Sequence, residues 1–386
     1  MTMLDDSEEL LSLELEQMRP SQYYTIKQTS WGGRAVFASV DIPRGTAVLR
    51  CKEPMAYSIN LDFKKECCHY CFNYFADEKS LKYKIIECDL WFCSKECLNS
   101  YEEKYKETGL FETFKKLKSL FSTIQKKNSQ KLYNCFFDDN TSVPITKLAI
   151  DEMWNKINNK WIPSVDKLGH NKNKKLKLLN LECFAEQEYT ECRYVFQCLT
   201  NLVKICSKTS EVQAKVRKLF VELQSNELET ITSSPHELLM HLKIFQICYI
   251  ILNHSKLGQK AKLSTKLFRH IMGSESANSF GIWEMDENLE SEDREFLGTS
   301  LYPEASYFNH SCFPNISRTR EGSSLIFTTN MEVKENEQLC IQYGGIVACK
   351  LPFEARQRQL YEKWYFKCLC VSCEQEKAKK RLVQKT

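Results

Sequence analysis

From residue 101 to about 269, apolar residues recur in broad stripes three and four positions apart. FETFKKLKSLFSTI, EYTECRYVFQCLTNLVKI, VQAKVRKLFVELQ and HELLMHLKIFQICYIIL carry that period, which predicts a run of helices. On either side the pattern shortens to alternation. YYTIKQ, RAVFASV and TAVLR, with turns at Gly32 and Gly33 and at Pro43 and Gly45, predict a small antiparallel β unit starting at Tyr23. Strand signals resume at Asn278 with NSFGIWE, then SLIFTTN and QLCIQY, and a helix is expected over 352–365. Strands from both ends of the chain must therefore pair across a long helical insertion. A polar stretch around 154–163 and the Lys/Asn segment after it predict a loop between helices. Residues 1–18, alternating Leu with Glu and Asp, predict an acidic helical or frayed lead. The chain shows no internal repeat, no strand–helix alternation of a dinucleotide-binding sheet and no glycine-rich phosphate loop.

Composition narrows the class. A chain of 386 residues, 42% hydrophobic and 12% aromatic, is long enough for two or three packed units with a substantial core. Its net charge of +4 gives little attraction for a polyanion, so no direct nucleic-acid partner is expected. NKNKKLK at 171–177 and KAKKR at 377–381 read as solvated charged faces, the latter permitting nuclear entry. The N-terminus carries no basic region followed by an apolar stretch, and the longest apolar run, IFQICYIIL at 244–252, is too short to span a bilayer. No membrane partner and an intracellular location, nucleus or cytoplasm, follow. In a reducing compartment the 19 cysteines are metal ligands or core residues before they are disulfides.

Eight of those cysteines fall into metal-like spacings. Cys68 and Cys71 form a C-x-x-C pair in CCHYC, and Cys93 and Cys97 a C-x-x-x-C pair in FCSKEC. Two such pairs across a short loop predict a zinc knuckle, with Cys67 and His69 competing for a place in the first pair. Cys88 has no obvious partner. Near the end, FKCLCVSC places Cys368, Cys370 and Cys373 at C-x-C-x-x-C spacing, one thiolate short of a tetrahedral zinc shell. Cys312, in NHSCFPN and embedded among Asn309, His310 and Tyr343, is the best candidate for the fourth. Two zinc ions are thus expected. The remaining cysteines, including Cys183, Cys192, Cys198, Cys206 and Cys248 in helix-like stretches, read as small core residues.

Taken in order, these segments resemble the SMYD family, lysine methyltransferases in which a SET domain is split by a MYND zinc finger. The matching residues are GGRAVFASVDIPRGTAVL at 32–49, the knuckle at 68–97, NSFGI at 278–282, LYPEASYFNHSCFPN at 301–315, QYGG at 342–345 and YFKCLCVSC at 365–373. The resemblance implies an α+β protein: a knotted SET fold of small sheets with a zinc-knuckle insertion, a long helical insertion and a zinc-bound post-SET segment. The implied layout runs as an acidic lead (1–19), N-terminal SET part (20–63), degenerate MYND-type finger (64–100), helical insertion (101–270), C-terminal SET part (271–346), post-SET segment (347–375) and basic tail (376–386). It further implies an S-adenosylmethionine-dependent protein-lysine N-methyltransferase, monomeric, acting on a histone tail or another protein lysine. Carried over by position, Tyr343 is the catalytic tyrosine. Asn309 and His310 hold the cofactor, in part through backbone groups, Asn278 adds a polar contact, Gly33 and Arg34 form a cofactor loop, and Phe366 stacks on the adenine.

Three departures from the family pattern stand out. No His or Cys lies between 98 and 134, so the finger's usual second zinc site is lacking. The chain stops about a dozen residues after Cys373, where longer members continue with a helical domain, a layout similar to that of the shorter fungal members. Ala35 replaces the usual glycine, and Gly-Gly follows Tyr343 in place of Ile-Asp. The alternative these departures leave open is a SET-like zinc scaffold that binds partners without catalysis.

Overall fold

In the computed structural model, β1 (Tyr24–Thr29) and β2 (Gly33–Ala38) pair antiparallel, with Ile26 opposite Val36 and Lys27 opposite Ala35. The structure describes residues 22–30, 33–128, 145–169, 171–179, 181, 183–207, 211–285, 294–344 and 350–383. The expected acidic lead, Gly32 of the first turn, Gly345 of the QYGG segment and residues 384–386 of the tail lie outside them.

Elements then follow as β3 (Ala47–Cys51), β4 (Ala56–Ile59), β5 (Tyr83–Ile85) and β6 (Leu90–Phe92). Next come helices α1 (Lys95–Tyr105), α2 (Leu110–Asn128), α3 (Lys147–Lys156), α4 (Ile162–Asp166), α5 (Lys172–Leu178) and α6 (Glu186–Cys206). They continue as α7 (Glu211–Val221), α8 (Glu227–Ser233), α9 (His236–Leu252), α10 (Lys256–Lys260) and α11 (Thr265–Asn278). The chain returns to strands in β7 (Phe280–Trp283), β8 (Phe296–Leu301), β9 (Asn309–His310), β10 (Ile316–Glu321), β11 (Ser324–Thr329) and β12 (Cys340–Ile341). It closes with α12 (Phe353–Trp364) and α13 (Val371–Val383), the latter absorbing the basic KAKKR run.

These elements group into two compact units, with the chain crossing between them after Pro54 and after Leu301. Met55–Leu301 form the first. It holds the antiparallel sheet β4-β8-β7, the β5-β6 hairpin and all the helices of the insertion. Its core centres on α6 and α9. All but one of the residues from 188 to 202 on α6 are buried. α9 is apolar nearly all round, as a helix enclosed by others must be. Two of the polar groups that α6 carries inward are held by neighbours: Gln197 donates to the Tyr105 hydroxyl at 2.7 Å and Asn201 to the Met55 carbonyl at 2.8 Å. Among the described residues no helix is long and apolar enough to cross a membrane.

Several expectations change here. The stretch around 154–163 is helical, α3 running through a π-helical turn at Ile157–Trp161 into α4, and the Lys/Asn segment expected to continue the loop forms α5. Burial of Trp154, Ile157 and Val165 overrides the polar composition. Pro163 is tolerated because it sits in the first turn of α4, where its missing N–H needs no partner. Asn278, expected to open a strand, instead ends α11, and β7 begins at Phe280. Of the cysteines assigned to the core, Cys192, Cys198 and Cys248 are buried, but Cys183 is only partly so and Cys206 is exposed at the end of α6.

The second unit comprises the described residues up to Pro54 and from Tyr302 onward. TAVLR does not extend the β1-β2 hairpin; it pairs with β11, in the sheet order β10-β11-β3, with Leu49 opposite Phe327. Alternation specifies a buried face but not which strand lies beside it. β9 and β12 pair in parallel, His310 opposite Ile341. The backbone of β2 then joins the same layer, as Leu339 N–H donates to the Val36 carbonyl at 2.8 Å.

In the first unit, Arg193 of α6 fastens the knuckle to the helices. Its guanidinium, only 6% exposed, donates to the carbonyls of Cys88 (2.7 Å) and Asp89 (3.1 Å) and lies 4.1 Å from the Phe114 ring centroid. Arg193→Leu strands both carbonyls, so we expect a loss of about 2–4 kcal/mol in denaturant unfolding of the zinc-loaded protein. A loss below about 0.5 kcal/mol would show the anchor to be dispensable.

Candidate active site and metal centres

Both cysteine groups converge. In the first unit the sulfurs of Cys68, Cys71, Cys93 and Cys97 lie within 4.8 Å of one another, with Cys71–Cys93 and Cys93–Cys97 each at 3.6 Å. Four thiolates about 2.3 Å from one zinc ion sit about 3.8 Å apart at the corners of a tetrahedron, whereas a disulfide would bring two sulfurs to about 2.0 Å. The donor set therefore fits zinc. Local geometry follows from the sequence: Ser94 caps α1 by accepting from Cys97 N–H, which places Cys97 in the first helical turn beside Cys93. The competition within CCHYC is settled by position. Cys67 is buried outside the group, and His69 turns its Nδ1 toward the Trp91 backbone at 3.2 Å. The buried Cys88 thiol donates to the Phe111 carbonyl.

In the second unit Cys312, Cys368, Cys370 and Cys373 form the other four-sulfur group. Cys312 lies 3.5 Å from Cys373 and 4.0 Å from Cys368, again tetrahedral edge lengths. Among the described residues these two are the metal-type clusters. Around the second, α12 supplies partners that the spacing of cysteines could not reveal. Gln357 donates to Cys373 Sγ at 3.3 Å and to the Cys368 carbonyl at 3.0 Å, while accepting from Cys368 N–H at 3.0 Å. One turn face of the same helix buries Arg356 to 1% exposure, where it pairs with Glu376 at 2.6 Å and faces Cys373 Sγ at 3.9 Å. Four thiolates around a divalent ion keep two negative charges, and a buried guanidinium offsets part of them.

The residues just before Cys312 lead away from the cluster toward Tyr343. His310 is largely buried; its Nδ1 accepts from Tyr343 N–H at 3.0 Å, and its Nε2 lies 3.3 Å from Cys312 Sγ. Burial lowers its pKa to about 4, so the imidazole is neutral, and an accepting Nδ1 leaves the proton on Nε2, pointed at the sulfur. The Tyr343 hydroxyl donates to the Phe308 carbonyl at 2.9 Å. Burial pushes that phenol up, so it stays protonated. Trp364 lies 5.3 Å from the Tyr343 ring, Phe366 lies 6.2 Å from it, and Phe366 also lies 6.3 Å from His310. Tyr365, in the left-handed region (φ 60), ends α12 and turns the chain between those two rings.

The first glycine after Tyr343 has a local cause. Gly344 has φ +53, and a Cβ there would sit 2.8 Å from the Trp364 ring, so only glycine admits the indole beside Tyr343. Ala35 continues the regular β1-β2 register and is fully buried in the strand.

The N-terminal residues join the same unit. Gly33 opens β2 with φ +66, and Arg34 donates to the Tyr307 hydroxyl at 3.1 Å with its guanidinium 4.7 Å from that ring. Asn309 stands opposite Cys340 in the β9-β12 pair, and the Asn315 side chain holds the same strand through Cys340 N–H and the Gln338 carbonyl, both at 2.9 Å. The structure thus brings Gly33, Arg34, Asn309, His310, Tyr343 and Phe366 into one unit with the second cluster. Asn278 falls in the first unit, where its amide donates to the carbonyls of Gln224 (2.8 Å) and Ser274 (2.9 Å).

A SET domain family model matches residues 33–344, most of the chain, and the chain belongs to that family. It is 36% identical over 381 residues to a Saccharomyces cerevisiae protein described as "Potential protein lysine methyltransferase SET6", covering 92% of this chain and 96% of that one. A Dictyostelium discoideum SET and MYND domain-containing protein is 27% identical over 354 residues, 90% of this chain and 81% of the other. A solved chain, the SET domain of LSMT bound to lysine and AdoHcy, aligns at 15% identity and a TM-score of 0.31 over 95% of this chain and 56% of that chain.

Two metal ions per chain are expected by mass spectrometry or atomic absorption. Cys312→Ser and Cys370→Ser should each lose the same ion, and Cys93→Ser the other; three ions, or different losses from the first pair, would contradict the ligand sets. Gln357→Leu keeps all four sulfurs but removes their clamp, and should weaken the second site about 10- to 100-fold in chelator competition.

Proposed function

We propose that this SET domain protein is an S-adenosylmethionine-dependent protein-lysine N-methyltransferase acting on a histone or another intracellular protein, as a monomer. The observation that carries the reading is the convergence, in the second unit, of the Asn309–His310 strand, the fixed hydroxyl of Tyr343 and the rings of Phe366 and Trp364, all beside the Cys312 cluster. The similarity to a yeast protein described as a lysine methyltransferase supports it.

S-adenosylmethionine supplies a methyl group on a sulfonium. What the chain must do is present a neutral amine to it, because a free lysine of pKa about 10.4 is almost wholly charged at neutral pH. Desolvation beside the aromatic side chains disfavours the ammonium form. Tyr343 is suited to orient the amine, since its proton is directed to Phe308 and its oxygen lone pairs remain to accept from the amine's N–H. Kept protonated by burial, the phenol acts by orientation and not as the base. Asn309, with the backbone of His310, and Gly33, Arg34 and Phe366 are the groups assigned to hold the cofactor; Asn278 keeps that assignment only by family position.

The free cysteines among the described residues fit a reducing compartment, nucleus or cytoplasm. A scaffold that binds partners without catalysis is the competing reading, and it has a simple discriminator. Calorimetry on zinc-loaded protein should show one S-adenosylmethionine bound per chain; no measurable binding sinks the enzyme reading. With radiolabelled cofactor and histones or cell extract, Tyr343→Phe should lower transfer about a hundredfold or more while cofactor binding and the fold persist. Wild-type-like activity in that variant would refute the role of the hydroxyl. Below pH 9 the rate should rise with pH as the substrate amine loses its proton, with no limb from Tyr343, whose ionisation burial moves upward.

A further inference from the structure

Both nitrogens of His310 are engaged within the chain, one by the backbone of Tyr343 and one by a sulfur of the second cluster. We propose that His310 is a positioning residue, whose imidazole transmits the filling of the Cys312 metal site to the placement of Tyr343 rather than contacting the cofactor with its side chain. The ring is a rigid strut. Nδ1 lies 3.0 Å from Tyr343 N and Nε2 lies 3.3 Å from Cys312 Sγ, so a shift of the sulfur on binding metal is passed on to the tyrosine backbone. The elements on either side leave the ring little room. β9 fixes its backbone opposite Ile341, Ser311 N–H donates to the Ile341 carbonyl at 2.9 Å, and the rings of Tyr343 and Phe366 lie tilted beside it at 5.4 and 6.3 Å. An Nε2–H directed at a ligating thiolate also stabilises that ligand, as outer partners of metal sites commonly do.

Two substitutions separate the two ends of the ring. His310→Gln reaches as far as Nε2 and keeps a donor for Cys312, but offers nothing at the position of Nδ1. His310→Asn places an amide oxygen near Nδ1 and keeps the acceptor for Tyr343, but does not reach the sulfur. In the zinc-loaded full chain, His310→Gln should release metal to a chelator at the wild-type rate, yet show faster hydrogen exchange at the Tyr343 amide. Its kcat should fall about tenfold or more with the calorimetric Kd for S-adenosylmethionine unchanged. His310→Asn should release metal about 10- to 100-fold more readily, with kcat falling only as metal is lost and recovering when zinc is added.

Weakened cofactor binding in both variants would overturn the proposal by making the side chain a cofactor contact. Equal loss of metal and amide protection in both would overturn it by reducing His310 to general packing. The kinetic arm rests on the methyltransferase reading. If the wild type transfers no methyl group, that reading fails, and the exchange and metal-release arms still decide the role of His310.

Discussion

Four sulfur atoms tie the last segment of the second unit to the stretch after β9 that carries Cys312. Cys312 meets Cys368 and Cys373 across 56 and 61 residues of chain, and closing so long a loop needs a strong local interaction to offset the lost entropy. The closing segment has little else. Among the described residues from α12 to α13, those buried are Arg356, Leu360, Cys368 and Cys373, a core too small to hold by apolar area alone. A metal ion bound by the four thiolates supplies what that core lacks, so metal binding and docking of the segment are one equilibrium.

Trp364 and Phe366 reach Tyr343 by that docking. Trp364 and Phe366 stand at the end of α12, and the left-handed Tyr365 between them lets both rings face the tyrosine. Gly344 gives way to the indole, and Gln357 and Arg356, two turns earlier on the same helix, face the Cys373 sulfur. The cluster is structural by its ligands, yet it shapes the site next to it. His310, neutral and buried, stands at the joint between the two.

Much of this was legible beforehand because it depends on residue type and spacing. C-x-C-x-x-C lacks a fourth ligand wherever it lies, and Cys312 beside Asn309 and His310 was the natural partner. The two finger pairs were equally plain, although the choice among Cys67, Cys68 and His69 was not. Three adjacent residues point in different directions, and only the fold determines which reaches the metal; here the Trp91 backbone engages His69. Gln357 and Arg356 were invisible for a related reason. On an exposed-looking helix reading FEARQRQLYEKW nothing marks them as inward, and only in the fold do the buried Arg356 and half-buried Gln357 meet the cysteines.

The pattern of apolar positions by itself determined that strands at both ends flank a helical insertion, because periods of two and of three to four follow from backbone geometry alone. Cysteine spacing, separately, marked out the two four-sulfur groups. Which strand lies beside which, that β3 joins β11 and not the β1-β2 hairpin, was decided by tertiary packing, since alternation names a face and not a neighbour. So was the helical state of 154–163, where burying Trp154 and Val165 outweighs local composition. Asn278 illustrates the same limit: a motif supplies an amide group, but the end of α11 determines which carbonyls it meets. Long-range contacts are properties of the folded chain, and a side chain's partners enter only when those contacts form.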